Sequence, residues 1–267
     1  MGDIVANGLR IHYIDEGEGP ETIVFSHSYL MDGEHFRPQI EHLKKRYRCV
    51  AFDHRGHGGT EVAREGYDME TIYTDAVAFI EGMGCAPCHF VGLSTGGFVG
   101  LRLAIRRPEL LRSLVLMDTT ADPEDEAALR KYRLMMLAVR FFGLSVVVGE
   151  VLKSLFGPRF REDPLNKREI ARWRRRLLAL DPEAAVRFGE GIFARSGVSD
   201  QLSEITVPSL VVVGEDDVAT PPMRARRIVQ NIPGAELVVV PEAGHVSTLE
   251  QPELVSEALE TFFERHG

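Results

Sequence analysis

Hydrophobic residues along this chain follow two periods, and the periods alternate. The continuous apolar runs TIVFSH, CVAFD, HFVGLS, LRSLVLMD, PSLVVVGED and ELVVVPEA are too short for helices and present no polar face. Such runs predict strands buried on both sides, as in a mainly parallel sheet. Between them the spacing becomes helical. Over 68–83, Ile72, Ala76, Phe79, Ile80 and Met83 form one stripe, with Asp68 placed as N-cap and Gly84 as the stop. Residues 36–47 repeat the pattern through Phe36, Ile40, Leu43 and Tyr47. GFVGLRLAIRRP predicts a helix ended by Pro108, and PELVSEALETFFERH predicts the last one. At the N-terminus, IVANGLRIHYID divides into two short strands about Asn7-Gly8, the strongest short hairpin signal. Strand and helix in alternation predict a doubly wound α/β sheet with helices on both faces.

One interval breaks the alternation. Between LVLMD and PSLVVVGED, over 121–203, there is no strand-like run; the helical stretches are either oily (LMMLAVRFFGLSVVVGEVLKSLF) or strongly basic (KREIARWRRRLLAL). This predicts a helical cap, 121–203, inserted into a core made of 1–120 and 204–267. Two uses of its large apolar residues stay open. They pack the cap onto the body, or some of Leu134, Phe141, Phe142, Trp173 and Phe188 line an apolar pocket over the C-terminal edge of the sheet, where open α/β sheets bind ligands.

Composition narrows the function. With 267 residues, 44% hydrophobic and 27% charged, the chain has the make-up of an ordinary globular protein with a sizeable core. A net charge of −9 argues against nucleic acid, whose partners need a dominant basic face. No stretch approaches the roughly 20 apolar residues that span a bilayer, and MGDIVANGLR has neither part of a secretory signal, so the expectation is a cytoplasmic protein with no membrane partner. Three cysteines make no disulfide framework. The Cys85-Ala86-Pro87-Cys88 spacing precedes a strand rather than opening a helix, so it is read as a loop before a redox motif, and Cys49 as a small buried apolar residue. His54 and His57 flank a turn but lack a third ligand at a recognised spacing, and no metal site is expected. Lys44-Lys45-Arg46 and Arg174-Arg175-Arg176 read as solvated helix faces.

Chemistry enters at Gly92-Leu93-Ser94-Thr95-Gly96, a G-x-S-x-G with the required strand before it and helix after it. Such a turn forces the serine into an unfavourable backbone conformation, and flanking side chains would collide with the adjoining elements. A serine hydroxyl alone is a weak nucleophile and needs a base and a group to orient that base. Both follow downstream: VGEDDVATPP offers an acid after one strand, and PEAGHVSTLEQP offers His245 after the next.

In these features the chain resembles the α/β-hydrolases, and within them the esterase, enol-lactonase and cofactor-free haloperoxidase branch. VFSHSYLMD resembles the oxyanion loop, FDHRGHGGT the D-x-R-G-x-G-x-S turn, VGLSTGG the elbow, GEDDVATPP the acid and AGHVSTLEQP the base. The resemblance implies a mostly parallel eight-stranded sheet, Ser94 as nucleophile, His245 as general base and Asp217 as acid, with Asp118 at the alternative acid position. It places the oxyanion N–H groups on Tyr29 and Thr95. The usual His-Gly of that loop is His27-Ser28 here, and Leu30 stands where perhydrolase-like members commonly carry proline, which tilts the reading toward plain hydrolysis. Leu30, Val218 and Val246 join the pocket candidates. The expected activity is cleavage of a small-molecule carboxylic ester or lactone with an apolar or medium-chain acyl part, acyl-homoserine lactones included, without metal or organic cofactor. A carbon–carbon bond hydrolase or perhydrolase of the same fold, and a non-catalytic ligand receptor, are the alternatives.

Overall fold

A computed structural model describes residues 1–266. In chain order the elements are β1 (Gly2–Ala6), β2 (Leu9–Glu16), β3 (Thr22–Ser26), α1 (Arg37–Leu43), β4 (Arg48–Phe52), α2 (Met69–Gly82), β5 (Cys88–Leu93), α3 (Thr95–Arg106) and β6 (Leu111–Met117). Then come α4 (Glu126–Phe142), α5 (Val148–Leu155), α6 (Pro158–Glu162), α7 (Lys167–Ala179) and α8 (Pro182–Phe193). The chain closes with β7 (Ser209–Gly214), α9 (Pro222–Asn231), β8 (Glu236–Val240), α10 (Ser247–Glu250) and α11 (Pro252–His266).

The eight strands form one sheet in the order β1-β2-β4-β3-β5-β6-β7-β8. Only the β1–β2 and β2–β4 pairs are antiparallel. The first turns on Asn7 and Gly8, both at positive φ, as a two-residue hairpin loop requires. Each central strand is apolar throughout because it feeds two cores. Val24, Val50, Phe90, Leu114 and Val211 pack with α2, α3 and α9; their neighbours Phe25, Ala51, Val91, Val115 and Val212 pack with α1 and α11. Alternate pointing of successive side chains produces that division.

Local chemistry sets the helix ends. Asp68 caps α2 by accepting from the Thr71 N–H at 3.0 Å. The helix expected at 36–47 is shorter: a 3-10 turn, Gly33–Phe36, leads into α1, which starts beside Pro38 and ends at Leu43, where Arg46 and Tyr47 close back onto the Leu43 carbonyl. Between β6 and β7 the ordered structure is helical, and the oily stretch breaks at Gly143, where φ is +76°. Helices α4 to α8 share an apolar cluster that includes Trp173, Leu177, Phe156 and Val148 and takes in Leu30, Met31, Val246 and Leu249 beneath them.

The basic runs are largely solvated, with Lys45, Arg46, Arg174 and Arg175 exposed, and some of their charges are paired. Lys44 pairs with Glu16 and Glu41, and Arg46 with Glu260 and Glu264. Arg176 reaches from α7 to a nearly buried Asp32 at 2.6 Å, fastening α7 to the loop after β3. All three cysteines are free and buried. Burial pushes the Cys85 thiol up to about 11 and Cys49 to about 12, with Cys88 shifted further the same way. These are poor thiolates at neutral pH. Among the described residues no helix is long and apolar enough to cross a membrane, and no cluster of His, Cys, Asp and Glu could hold a metal.

The most committed polar contact in the body is buried. The Arg55 guanidinium grips both carboxylate oxygens of Asp75 at 2.7 Å each, tying the turn after β4 to α2, while Asn7 donates to the same carboxylate at 2.8 Å. Removing one partner of such a pair strands the other charge away from water. Asp75→Ala should therefore lower the unfolding free energy by about 3–5 kcal/mol in a urea titration.

Candidate active site

Ser94 sits between β5 and α3 at φ +54° and ψ −105°, a conformation that costs an L-residue on the order of 1–3 kcal/mol. Its neighbours explain the glycines. A Cβ on Gly96 would lie 2.0 Å from the Ser26 carbonyl oxygen, one on Gly92 would lie 2.2 Å from the Gly96 oxygen, and one on Gly97 would meet Thr119 Oγ1 at 2.4 Å. The turn is wedged against β3 on one side and the end of β6 on the other, where Thr119 Oγ1 also donates to the Ser94 carbonyl at 2.8 Å.

The topology brings the other groups to the same edge. His245 lies on the loop after β8, and Asp217 on the loop after β7. His245 Nδ1 and Asp217 Oδ2 are 2.9 Å apart. Asp217 is itself pinned: Oδ1 accepts from the N–H groups of Ala219 (2.8 Å) and Thr220 (3.0 Å), and Oδ2 from the Thr220 hydroxyl (2.7 Å). Burial alone would raise the Asp217 carboxyl, but the charge of His245 and these hydrogen bonds outweigh it and hold the group below the usual carboxylate range. An ionised Asp217 can only accept, so Nδ1 carries the imidazole hydrogen and Nε2 keeps its lone pair. For His245, burial works toward a lower pKa, yet the charge of the Asp217 carboxylate and its hydrogen bond to the ring prevail and raise it above the ordinary imidazole value.

Asp118 makes different contacts. It is fully buried at the end of β6, with Oδ1 accepting from the Gly214 N–H at 2.7 Å and Oδ2 bonded to the Ser247 hydroxyl at 2.6 Å. Burial first, then the nearby Asp217 charge, push it up to about 8. At neutral pH it is a protonated strut between β6, β7 and α10, with no hydrogen bond to His245.

Facing Ser94 is the loop after β3. Neither the Tyr29 nor the Thr95 N–H has an acceptor within the protein among the described residues. Behind the loop stand three buried histidines. His27 donates through Nδ1 to the Ser28 carbonyl (2.7 Å) and accepts at Nε2 from the His54 N–H (2.8 Å). His57 donates through Nδ1 to the Arg55 carbonyl (3.1 Å) and accepts at Nε2 from the Leu30 N–H (3.2 Å). Each pattern needs a neutral ring. Burial supplies that condition, lowering His27 to about 4 and His57 to about 3, with His54 also far below normal. From the other side, the Tyr29 hydroxyl donates to the Ala185 carbonyl of α8 at 2.7 Å, and its ring stacks on Phe188.

Ser94, Thr95, Tyr29, Leu30, Val218 and His245 all border one cavity of about 330 Å³, the size of a small-ligand site. Asp217 stands just behind His245. Ser94 Oγ makes no hydrogen bond to the ring among the described residues; in ligand-free sites such contacts are commonly long and tighten on binding.

Six pocket candidates lie elsewhere. Leu134, Phe141 and Phe142 point away from the cavity, at 69%, 72% and 72% exposure on the outside of α4. Trp173 is buried in the apolar cluster shared by α4 to α8, where its Nε1 donates to Glu169 at 2.8 Å. Phe188 supports Tyr29 from beneath, and Val246 is buried in the same cluster. The wall is built instead by Tyr132, Met135, Met136 and Val139 of α4, with Val151 and Phe193. Those four α4 residues are spaced at one helical face. The stripe was in the sequence, but Leu134, Leu137 and Phe141 form a second one on the opposite face.

The sequence profile of the Alpha/beta hydrolase family matches residues 23–258. A Mycobacterium tuberculosis protein whose name assigns it provisionally to the non-heme bromoperoxidases is 29% identical over 96% of this chain and 98% of its own length. The enol-lactonase of Burkholderia xenovorans LB400 superposes with a TM-score of 0.92 at 27% identity, covering 98% of this chain and 100% of the lactonase. A thermophilic esterase from Thermogutta terrifontis superposes with a TM-score of 0.91 at 27% identity, over 100% and 99% of the two chains.

The steric argument about the elbow separates two glycines. Gly96→Ala should destabilise by about 3 kcal/mol or more in a denaturant titration, because backbone rather than a movable side chain blocks the new methyl group. Gly149→Ala, in α5 with nothing within 4 Å of the new Cβ, should stabilise by about 0.5–1 kcal/mol.

Proposed function

Because the chain belongs to the alpha/beta hydrolase family, we propose that it is a serine hydrolase cleaving a carboxylic ester or lactone by acyl transfer through Ser94. One observation supports this above the rest: His245, oriented by an ionised Asp217 at 2.9 Å, borders the same cavity as a serine held on a strained turn. His245 Nε2 takes the proton of Ser94 as Oγ attacks the carbonyl carbon, and Asp217 stabilises the imidazolium. The carbonyl oxygen becomes an oxyanion facing the N–H groups of Tyr29 and Thr95, each worth about 3 kcal/mol to the transition state. His245 returns its proton to the departing alcohol. Water, deprotonated by the same nitrogen, then frees the acyl group and restores Ser94. From a lactone, the alcohol remains tethered and the product is a hydroxy acid.

In this reading 121–203 is a cap over a core of 1–120 and 204–267, and the inner face of α4 receives the acyl group. Met135, Met136 and Val139 suit a medium-length chain, with lactones bearing such a chain included among the substrates. The esterase and the enol-lactonase among the similar structures favour the same two classes. Against peracid chemistry stands Leu30, whose N–H donates to His57, a bond that proline in its place could not make.

Ser94→Ala should lower kcat by roughly 10³-fold or more with the fold intact, and a fluorophosphonate should label Ser94 in the native protein. A panel of p-nitrophenyl esters of rising chain length beside simple and acylated lactones reads the substrate class; unaltered turnover by Ser94→Ala would overturn the mechanism. Asp217→Asn should cost about 10⁴-fold in kcat, because the wrong tautomer is then stabilised. Asp118→Asn should cost less than about ten-fold, since it replaces a group already neutral at pH 7. The free base must be unprotonated, and its pKa is raised. The acidic limb of kcat/KM should thus lie above the ordinary imidazole value of about 6.5, with activity falling as pH drops through it.

A further inference from the structure

The loop that carries His245 is fastened to the capping helices at one place. There the segment joining α5 to α6, Leu155 to Gly157, lies directly on residues 244–250. The Val246 N–H donates to the Leu155 carbonyl at 3.2 Å, and the Gly157 N–H donates to Glu250 Oε2 at 2.8 Å. The two backbones touch: a Cβ on Gly244 would lie 2.4 Å from the Gly157 nitrogen, and one on Gly157 would lie 2.9 Å from both the Gly244 nitrogen and Glu250 Oε2. Glu250, the last residue of α10, is 8% exposed, and its Oε1 completes no hydrogen bond. A carboxylate kept in such a place is expensive unless its position is used.

We propose that Glu250 is a positioning residue for His245: its carboxylate joins the cap at Gly157 to the loop bearing the imidazole, so that the base is set only while the cap is docked. The proposal rests on the serine-hydrolase reading of the site and adds to it a means by which substrate held under the cap and readiness of the base become one event.

Charge supports the geometry. The titratable groups around Glu250 are His245 on its own loop, Asp217 on the loop after β7, Asp118 at the end of β6, and His35 in the 3-10 turn that packs on α10. The Arg159–Glu242 pair next to Gly157 and Gly244 in the chain is solvent-exposed. Burial keeps His35 neutral. For Glu250, burial outweighs the N–H groups of Gly244, Gly157 and Val246 and pushes its pKa up to about 7. Above that pH it is ionised, and its negative charge adds to that of Asp217 in keeping a proton on His245.

Three variants test this, measured as kcat and KM across pH with a substrate from the panel. Glu250→Gln keeps an oxygen that accepts from Gly157 but loses the charge. Its plateau kcat should stay within about three-fold of the parent, while the acidic limb moves down by roughly half a pH unit, because His245 loses a neighbouring anion. Glu250→Ala removes the acceptor and should lower plateau kcat by at least about ten-fold, as small misplacements of a base do. Gly157→Ala disturbs the joint from the cap side without altering any charge, and should lower kcat while leaving the limb in place. An unshifted limb in Glu250→Gln, or a loss in Glu250→Ala that glutamine does not restore, overturns the proposal; where the alanine variant fails to fold, the glutamine profile decides. Failure of the hydrolase reading itself has a separate sign, the parent protein left unlabelled at Ser94 by fluorophosphonate.

Discussion

The site depends on a steric constraint. Ser94 holds a backbone conformation it would abandon if free, because the chain on either side has no room to relax. The Gly96 Cα approaches the β3 backbone, and Gly92 approaches Gly96, each too closely for even a methyl group. Cooperative packing of β3, β5, β6 and α3 stabilises the strained turn, together with the hydrogen bonds from the Ser94 N–H to the Met117 carbonyl and from the Thr119 hydroxyl to the Ser94 carbonyl. The sheet order follows from the same demand. β3, β5 and β6 must be parallel neighbours for their C-terminal ends to surround the turn, and the loops after β7 and β8 then arrive on the same edge.

Electrostatics beneath the imidazole shows how burial sorts like groups. Three carboxyls, Asp118, Asp217 and Glu250, surround one histidine, and all are largely out of water. The one with the most hydrogen bonds and the direct ring contact keeps its charge; the others are raised to about 8 and about 7. Concentrating the charge on Asp217 avoids repulsion between buried anions and fixes which ring nitrogen carries hydrogen. The histidines behind the loop after β3 follow the same rule with opposite sign, since burial holds all three neutral and lets His27 and His57 each donate and accept at once.

Much of this was legible in the sequence. Parallel strands buried on both faces leave unbroken apolar runs, and Phe90 and Val91 belong to opposite cores as that pattern requires. The elbow was legible because glycine beside serine at a strand end has few other physical uses. The wall of the cavity was not. An amphipathic helix declares one apolar face, but α4 carries two, and choosing between them needs the positions of α8 and the body against which it packs. Phe141 and Phe142 are the larger residues and Met135 and Val139 the more useful ones, so size misdirects. Glu250 was illegible for another reason: its partner Gly157 is 93 residues away, and no local pattern signals a carboxylate that serves a distant N–H.

Tyr29 has a consequence for how such proteins diversify. The residue that borders the cavity with Ser94 also sends its side chain out to Ala185 and onto Phe188, both on α8. The helical segment is thus tied to the site, because part of the scaffold that shapes the loop after β3 belongs to it. Drift in α8 that reshaped the cavity would also tilt that loop, so the two change together during evolution. Lineages of this architecture would then be expected to vary the exposed face of α4, with Leu134, Phe141 and Phe142, more freely than α8, the helix that supports the tyrosine.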